Sequence, residues 1–346
     1  MQIVKKNMKV IKDYTLHYNF VYFNENYNSK WVRDPDEYNA ICLRDVEKMK
    51  DVKVLQVPLQ DYPLFLRILY CIYNSSRVQK YIKLPRRILF PFIFKNIFKN
   101  SKPFCFVFAT ASYPIEYIEY LRKRYSGCKI VMIHRDLVKI THLYPKYTEE
   151  NMNRLFDKRY SYDQREANQY GLSLFTGILS KIDIKTSSYY PISDVFFAGK
   201  AKERLHKLIE AYDIFEKAGL KCDFYITHVP EKDKVLRKGI TYSDHLMPYN
   251  EILYKSINSK CMLEISQEGA IGYTSRFFEA VIYNKLFITD NPTIKSTVYY
   301  KTGCMLYYSS ISEIDPNFVA APRTVNYNYK GEFSPINLIL QIDKDL

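Results

Sequence analysis

The chain has 346 residues, of which 47% are hydrophobic and 25% are charged, with 10 Gly and 15 Pro. This length suits two domains, and the composition is that of a globular protein, which excludes low-complexity and collagen-like chains. Its seven cysteines are scattered singly without a C-x-x-C pair, so we expect reduced thiols and neither a disulfide framework nor a metal site. The start lacks the order of a signal peptide, and no apolar window reaches the ~18 residues of a spanning helix, which predicts a cytoplasmic chain that does not cross a membrane.

The net charge of +14 lies entirely in the first half of the chain. Residues 1–190 hold 32 Lys and Arg against 18 Asp and Glu, whereas residues 191–346 hold 19 of each. Residues 62–115, which we call the basic segment, carry nine basic residues and no acidic one: Arg67, Arg77, Lys80, Lys83, Arg86, Arg87, Lys95, Lys99 and Lys102. Aromatic and aliphatic residues are interleaved with them, so the segment suits an anionic membrane surface into which Phe92, Phe94 and Phe98 insert shallowly. The alternatives are a single-stranded nucleic acid and a solvated basic face over an ordinary core.

The first half shows predictable elements only after residue 100, and residues 10–60 give no assignable order. The predicted elements are a strand at Phe104–Ala109, a helix at Pro114–Arg124 and a strand at Lys129–His134. The segment 187–194 is the best candidate for a linker between domains.

The second half alternates strands and helices. The predicted strands are Asp194–Gly199, Cys222–Thr227, Gly239–Tyr242, Lys260–Ser266 and Leu286–Thr289. The predicted helices are residues 201–218, Tyr249–Ile257 and Thr274–Tyr283, with Gly219 and Asn284 as stops. Short apolar strands that alternate with helices indicate parallel sheets covered on both faces. We therefore expect an α/β protein of two facing doubly wound, Rossmann-like domains, residues 1–188 and 189–346, whose last helix could cross back to the first domain.

The richest motif joins a strand end, a glycine-bearing loop and a helix start at Gln267–Ala280. Its glycines Gly269 and Gly272 let backbone amides approach a ligand, and the start of the helix favours an anion such as a diphosphate. Thr274 and Ser275 are expected to cap the helix and to present hydroxyl groups. Glu279 lies about one turn further in, where it could reach a ribose diol. The alternative is a capped helix with a solvated glutamate.

A second motif follows the strand that ends at Gly199. Lys200, Lys202 and Arg204 place positive charge at the mouth of the same sheet, and the spacing of Lys200 and Arg204 would put both on one helical face. They could neutralise the charge that grows on a diphosphate leaving group. The alternative is a solvated basic first turn, although positive charge there opposes the helix dipole.

Two pairs of segments resemble a known family. "DVFFAGKAKERL" with "EGAIGYTSRFFEA" resembles the donor-binding domain of GT-B glycosyltransferases. "FDKRYSYDQREANQYGL" (Phe156–Leu172), together with the C-terminal run, resembles the lipopolysaccharide and capsular polysaccharide glycosyltransferases of bacteria. The resemblance covers roughly residues 104–295. Within the Phe156–Leu172 stretch, the turn that ends at Asp163 is interpreted as a cap for the following helix.

The resemblance implies roles for several residues of the second half. Of the two glutamates that often stand eight apart in retaining GT-B enzymes, Glu279 matches the second, which binds ribose, whereas Ile271 stands at the first position, so retention or inversion stays open. The resemblance also implies that Lys200 and Arg204 contact the diphosphate and that the segment near Met247–Tyr249 flanks the nucleotide base. With the two motifs above, the residues predicted to bind the nucleotide sugar are Gly199, Lys200, Arg204, Met247, Tyr249, Glu268, Gly269, Gly272, Thr274, Ser275 and Glu279.

In the first half the resemblance implies a histidine at a strand end that faces the transferred sugar, and His134 matches it. Asp136 is a candidate general base towards an acceptor hydroxyl. The alternative is a structurally satisfied histidine beside a loop-capping aspartate.

These patterns together predict a metal-independent glycosyltransferase that uses a UDP- or GDP-linked sugar and no other cofactor, with Lys200 and Arg204 stabilising the leaving group. The expected acceptor is a cell-surface glycan that is lipid-linked, and the expected location is the cytoplasmic side of an anionic membrane, with no nucleic acid as partner. The alternatives are a non-catalytic membrane-associated protein and a nucleic-acid-binding protein.

Overall fold

The computed structural model describes residues 14–24, 37–56, 59, 62–82, 85–109, 111, 113–144, 146–184, 189–266 and 272–346. The chain forms two compact units. The first comprises Met1–Pro35, Asn39–Ser180 and Ser334–Leu346, and the second comprises Asp36–Tyr38 and Lys181–Phe333. The main division between Ser180 and Lys181 lies close to the boundary after residue 188 that was expected from the sequence.

The first unit is built on a sheet of six strands. They are β1 (Asn19–Phe23), β2 (Val52–Leu55), β3 (Phe104–Phe108), β4 (Lys129–His134), β5 (Lys158–Ser161) and β6 (Ser173–Leu174). The strands lie in the order β2-β1-β3-β4-β5-β6, and every pair is parallel. The central strands are apolar and almost wholly buried, as expected of a sheet covered on both faces. The predicted strands at Phe104 and Lys129 are thus confirmed.

Eight helices accompany this sheet in the described ranges up to Ser180. They are α1 (Tyr38–Cys42), α2 (Leu64–Asn74), α3 (Ser76–Tyr81), α4 (Phe90–Ile93), α5 (Ile115–Arg124), α6 (Val138–Thr141), α7 (Glu149–Leu155) and α8 (Gln164–Tyr170). The predicted helix at Pro114–Arg124 is α5, which turns Ile118 and Leu121 into the core. Asp163 accepts hydrogen bonds from the backbone amides of Arg165 and Glu166 at the start of α8, so the predicted cap is confirmed.

The aromatic residues of the basic segment divide between the core and the surface. Phe94 is buried, and its ring packs against those of Phe104 and Phe106. Phe98 also contacts Phe104, and only Phe92 among the three expected membrane-inserting residues is exposed. The expectation that Phe94 inserts into a membrane is therefore wrong, because strand β3 presents an aromatic surface that this side chain covers.

The second unit also has six strands. They are β7 (Ser193–Lys200), β8 (Cys222–Thr227), β9 (Ile240–Ser243), β10 (Ser259–Glu264), β11 (Leu286–Thr289) and β12 (Met305–Tyr307). They lie in the order β12-β11-β10-β7-β8-β9, and every pair is parallel. Five of them match predicted strands, and β12 was not predicted. The fold of two Rossmann-like α/β units that the sequence predicted is confirmed.

In the described residues of the second unit there are four α-helices: α9 (Leu205–Lys217), α10 (Tyr249–Asn258), α11 (Ser275–Ile282) and α12 (Asn317–Ala320). The predicted helix stops are confirmed. Gly219 follows α9 and Asn284 follows α11, and both adopt positive φ angles, of 74° and 52°, which end a helix. The first three helices were predicted to within a few residues.

The C-terminal helix α13 (Pro335–Asp345) belongs to the first unit. Its Asp343 is buried and accepts hydrogen bonds from the backbone amides of His17 and Tyr18, just before β1. Asp345 accepts a 2.7 Å hydrogen bond from the Tyr160 hydroxyl in β5. In the part of the chain that the structure describes, no helix combines the length and the apolar character needed to cross a bilayer.

Candidate functional site

The strand order of the second sheet has a switch point between β7 and β10. The chain adds β8 and β9 on one side of β7 and then returns to place β10 and β11 on its other side. In open parallel sheets, ligands bind outside the carboxyl ends of the strands at such a point. Gly199 and Lys200 end β7 there, and Glu264 ends β10.

Two guanidinium groups converge at these strand ends. Arg204 donates to the carbonyl oxygen of Lys200 through Nε and Nη2, at 3.3 and 3.0 Å, and through Nη1 to that of Ile265. Arg276, in the first turn of α11, donates to the carbonyl oxygen of Ala198. Both guanidinium groups lie over the ring of Phe197, at 5.5 Å for Arg204 and 4.8 Å for Arg276.

Gly199 makes this convergence possible. A Cβ atom at this position would lie 2.7 Å from Nη2 of Arg276 and 3.5 Å from Nη2 of Arg204. Any larger residue would therefore displace the Arg276 guanidinium from its place beside β7. Glycine is needed here because it leaves room for the charged side chains. Its backbone conformation is that of an ordinary strand and would not by itself require glycine.

Among the described residues, nearby carboxyl groups act on the guanidinium pair without an ion pair: Glu264 and Glu279 raise the pKa of Arg276, and Glu264 raises that of Arg204. Burial and, to a smaller extent, the neighbouring Arg276 lower the pKa of Arg204 to about 10, and burial also lowers the pKa of Arg276. Both stay cationic at neutral pH, and among the described residues neither forms an ion pair with a carboxylate. Two adjacent, partly desolvated positive charges repel each other, so a bound anion with several oxygens would stabilise the pair.

A buried carboxylate stands on the same helix. Glu279 is 1% exposed, and its Oε1 accepts a 2.9 Å hydrogen bond from the Tyr249 hydroxyl, at the start of α10. Its Oε2 has no hydrogen-bond partner among the described residues. Burial raises the pKa of Glu279 to about 7, against the lowering effects of Tyr249 and Arg276. An unsatisfied buried oxygen is costly, which makes Oε2 a natural acceptor for a ligand hydroxyl.

Thr274 does not cap α11 with its side chain. It occupies the position before the helix, but its hydroxyl donates to Oε1 of Glu264, while Thr289 donates to Oε2 of Glu264 at 2.6 Å. The expected hydroxyl cap is therefore wrong, because a buried carboxylate on a neighbouring strand is a stronger acceptor for this hydroxyl. The first turn of α11 keeps backbone amides that no Thr274 side chain satisfies, beside the part-buried Ser275.

The other predicted residues of this unit differ in their placement. Met247 is buried against Phe196 and Ala198 of β7, so it is a core residue rather than an exposed flank of a base. Lys200 is the exposed last residue of β7 and does not share a helical face with Arg204, because Arg204 lies beyond the strand in a short 3-10 turn. The carbonyl of Gly272 accepts a 3.2 Å hydrogen bond from Asn291.

Two predicted residues, Glu268 and Gly269, lie outside the described residues, as does the rest of 267–271. Within the described residues, no group of three or more His, Cys, Asp or Glu side chains could hold a metal ion.

The first unit places His134 at the carboxyl end of β4. The imidazole is 2% exposed, with Nδ1 3.1 Å from the Thr141 hydroxyl and Nε2 without a hydrogen-bond partner among the described residues. Burial lowers the pKa of His134 to about 4, and the positive charge of Arg159 contributes to this. The ring is therefore neutral at physiological pH. Asp136 is exposed at the surface after the strand.

Sequence reasoning missed two residues of the site, Arg276 and Glu264. Arg276 carried the same signal that singled out Arg204, a positive charge in the first turn of a helix, where it opposes the dipole. Glu264 reads in the sequence as an ordinary strand residue, and only the fold shows that it is buried beside Thr274 and Thr289.

No family profile matches the sequence, and no curated protein is similar to it. Solved structures do share its fold. They include a trehalose-6-phosphate synthase, OtsA (TM-score 0.51, 9% identity, 95% of this chain and 96% of that one), and an α-glucosyltransferase in complex with UDP-glucose and DNA containing an abasic site (0.50, 10%, 94% and 91%). The N-terminal domain of the Candida albicans trehalose-6-phosphate phosphatase is a third (0.50, 10%, 98% and 95%). At these identities the likeness extends to the fold, which is the two-domain architecture of GT-B glycosyltransferases that the resemblance implied.

Proposed function

We propose that this protein is a glycosyltransferase that moves a sugar from a UDP- or GDP-linked donor to a glycan acceptor. One observation carries the proposal: at the switch point of the second sheet, Arg204 and Arg276 converge without a carboxylate partner among the described residues, while Glu279 keeps an unpartnered buried oxygen. This arrangement of two cations and one acceptor matches a nucleoside diphosphate, which carries two phosphates and a ribose diol. The solved glycosyltransferases of the same fold support it.

Each group has a defined task in this proposal. The guanidinium groups of Arg204 and Arg276 bind the diphosphate, with the exposed Lys200 ammonium and the free amides at the start of α11 as further donors. Oε2 of Glu279 accepts a ribose hydroxyl, and Tyr249 fixes the carboxylate by holding Oε1. Because Met247 is buried, it is not proposed to contact the base.

Transfer breaks the bond between the anomeric carbon of the sugar and the diphosphate oxygen, and the departing nucleoside diphosphate takes the electron pair. The oxygen of an acceptor hydroxyl forms the new bond and gives up its proton to a base. Positive charge fixed beside the departing oxygen is worth most in the transition state, where its negative charge grows. The guanidinium pair supplies that charge, so the proposal requires no metal ion.

In the first unit, the neutral His134 is proposed to face the transferred sugar through Nε2, and the exposed Asp136 to accept the proton of the acceptor hydroxyl. The acceptor is proposed to be a lipid-linked glycan of the lipopolysaccharide or capsular polysaccharide type, met at the cytoplasmic face of the cell membrane. The concentration of the whole net charge in residues 1–190 supports a location at an anionic surface.

Titration calorimetry with UDP, GDP and ADP tests the proposal. We expect UDP or GDP to bind and ADP, the comparison, to bind more weakly. Arg276→Lys and Glu279→Gln should each weaken binding about tenfold or more, since each removes a charged hydrogen bond. The matched controls are Arg323→Lys, an exposed arginine that also stacks on an aromatic ring, that of Phe318, and Glu313→Gln, an exposed glutamate. Absence of any nucleotide binding in a folded protein would overturn the proposal in favour of a non-catalytic role, and binding of an oligonucleotide alone would favour a nucleic-acid-binding role.

A further inference from the structure

Helix α2 turns an apolar face outwards. Leu64, Phe65, Ile68, Leu69 and Ile72, which we call the α2 outer face, are spaced to form one continuous stripe along the helix. All are exposed, from 39% for Leu69 to 63% for Leu64. On the opposite side of the helix, Tyr70 packs against the core of the first unit. The helix thus packs one side against the core and leaves an apolar side in contact with solvent. An ordinary surface helix exposes a polar side instead.

The surroundings of this face are basic. Exposed cationic side chains in the same segment are Arg77, Lys80, Arg87, Lys95 and Lys99. Further exposed apolar side chains are Tyr81, Ile82, Ile88, Phe92 and Ile97. No acidic residue occurs in the basic segment, although Glu116 lies close enough to Arg87 to interact with it and Asp51 pairs with Lys102. The remaining exposed cations and apolar side chains favour a partner that is both apolar and anionic.

Charge separates the possible occupants. A second copy of the chain would bring two segments of the same sign together without an acidic residue on either to compensate, which disfavours self-association through this face. A single-stranded nucleic acid would need aromatic rings for base stacking, whereas four of the five residues of the α2 outer face are aliphatic. A bilayer with anionic headgroups satisfies both requirements at once, because acyl chains lie directly below the charged layer.

We propose that the α2 outer face docks into the headgroup region of an anionic membrane, with the surrounding lysines and arginines on the lipid phosphates. The inference names the element behind the membrane location proposed above and is independent of the transfer reaction. It also replaces Phe94, which is in the core, as the inserting group. The 11 residues of α2 are too few to span a bilayer, so the helix lies along the surface and the association is reversible.

Cys71 provides a probe that leaves the α2 outer face intact. It is the exposed one of the seven cysteines and sits on α2, whereas Cys222 is partly exposed and the others are buried. An environment-sensitive fluorophore on Cys71, in a Cys222→Ser background, should shift its emission to the blue with vesicles of phosphatidylcholine and phosphatidylglycerol. Vesicles of phosphatidylcholine alone should produce little shift, and added salt should reverse it. The same fluorophore on Leu236→Cys, an exposed site of the second unit, in a Cys71→Ser and Cys222→Ser background, is the control.

Paired substitutions test the two components of the surface by vesicle co-sedimentation. Phe65→Ser with Ile68→Ser should lower binding more than about tenfold, since each side chain loses its burial in lipid. Leu236→Ser with Leu246→Ser, equally exposed in the second unit, should not change it. Lys80→Glu with Lys95→Glu should lower binding more than about tenfold, and Lys217→Glu with Lys301→Glu should lower it much less.

Three outcomes would overturn the inference: no vesicle binding by the wild type at low salt, equal loss with test and control pairs, or binding that depends on neither charge nor the apolar pair. A concentration-dependent dimer abolished by Phe65→Ser with Ile68→Ser would assign the face to self-association instead. Calorimetry with the nucleoside diphosphate on the same variants keeps the two proposals apart. Vesicle binding without nucleotide binding would refute the proposed transfer and support the docking. Nucleotide binding without vesicle binding would support the proposed transfer and refute the docking.

Discussion

The hydroxyl of Tyr249 donates a 2.9 Å hydrogen bond to one carboxylate oxygen of Glu279, and the other oxygen of this buried side chain has no partner among the described residues. A single hydrogen bond does not repay the desolvation of a full negative charge, which is why the pKa of Glu279 rises to about 7. The free protein therefore bears an energetic cost at a position where the proposed ligand would relieve it.

We expect Glu279→Gln to stabilise the free protein in alkaline solution while weakening nucleotide binding. The folded pKa of about 7 exceeds the ordinary value of 4.5, so the wild type gains stability as the pH falls through 7 and the carboxylate becomes protonated. The free energy of unfolding of the variant relative to wild type should decrease by about 3 kcal/mol between pH ~8 and pH ~4.5. Denaturant unfolding of both proteins across this range measures the difference, and parallel pH profiles would contradict the buried ionised carboxylate.

His134→Gln should change the acid side of the stability profile in the opposite sense. Because the folded pKa of His134 is about 4 and its ordinary value is 6.5, the unfolded state binds the proton first as the pH falls. The wild type should therefore lose up to about 3 kcal/mol of stability between pH ~6.5 and pH ~4, a loss that the variant avoids. If His134 faces the transferred sugar, kcat should fall while nucleotide affinity stays unchanged. His142→Gln, a partly exposed histidine, serves as the control.

The two arginines should respond differently to substitution by alanine. Arg204 holds the carbonyls of Lys200 and Ile265, so Arg204→Ala should lower the free energy of unfolding by about 1–3 kcal/mol as well as depressing turnover. Arg276→Ala should lower both nucleotide affinity and kcat, with a smaller loss of stability, since Arg276 holds one carbonyl, that of Ala198. Steady-state kinetics beside thermal unfolding separates the two effects. A change in KM alone for both variants would show that they bind substrate without favouring the transition state.

Gly199→Ala tests whether the guanidinium pair depends on close approach. The added methyl would collide with Nη2 of Arg276, so nucleotide affinity should fall while the sheet stays intact. Combining Gly199→Ala with Arg276→Lys should cost less than the sum of the two effects, because both act on one contact. Additive losses of nucleotide affinity would show that Gly199 does not act through its contact with Arg276.

Asp343 should be essential to the stability of the first unit. Asp343→Ala removes the buried carboxylate that accepts from the backbone amides of His17 and Tyr18, at a cost of about 1–3 kcal/mol. Lys344→Ala, the exposed neighbour, should have little effect. Equal stability of the two variants would show that the helix is held by its apolar face alone.

The alternation of strands and helices was predictable where each strand is apolar and each helix has a clear stop. Cys222–Thr227 and Leu286–Thr289 were placed to the residue for this reason. Strand β12 was missed because three residues, Met305–Tyr307, carry no periodicity. Strand β1 was missed because nothing in a five-residue apolar run reveals that it pairs with β3, far along the chain.

The candidate site was predictable in its location and not in its contacts. Glycine and basic residues at strand ends mark a ligand edge by local sequence alone, and this found Gly199 and Arg204. The hydroxyl of Thr274 was misassigned because its acceptor, Glu264, belongs to another element. Exposed apolar residues in the basic segment were expected from its composition, but their place on α2 was not, since an apolar stripe is the usual sign of a buried side.

The docking of α13 on the first unit has a consequence for the order of folding during synthesis. The second unit is almost wholly one continuous stretch, Lys181–Phe333, and is complete before Ser334 is added. The first unit, in contrast, needs Asp343, which is translated after that stretch, so the amides of His17 and Tyr18 stay without this acceptor until then. The second unit can therefore be completed without α13, whereas the first unit depends on a helix that is translated after almost the whole of the second.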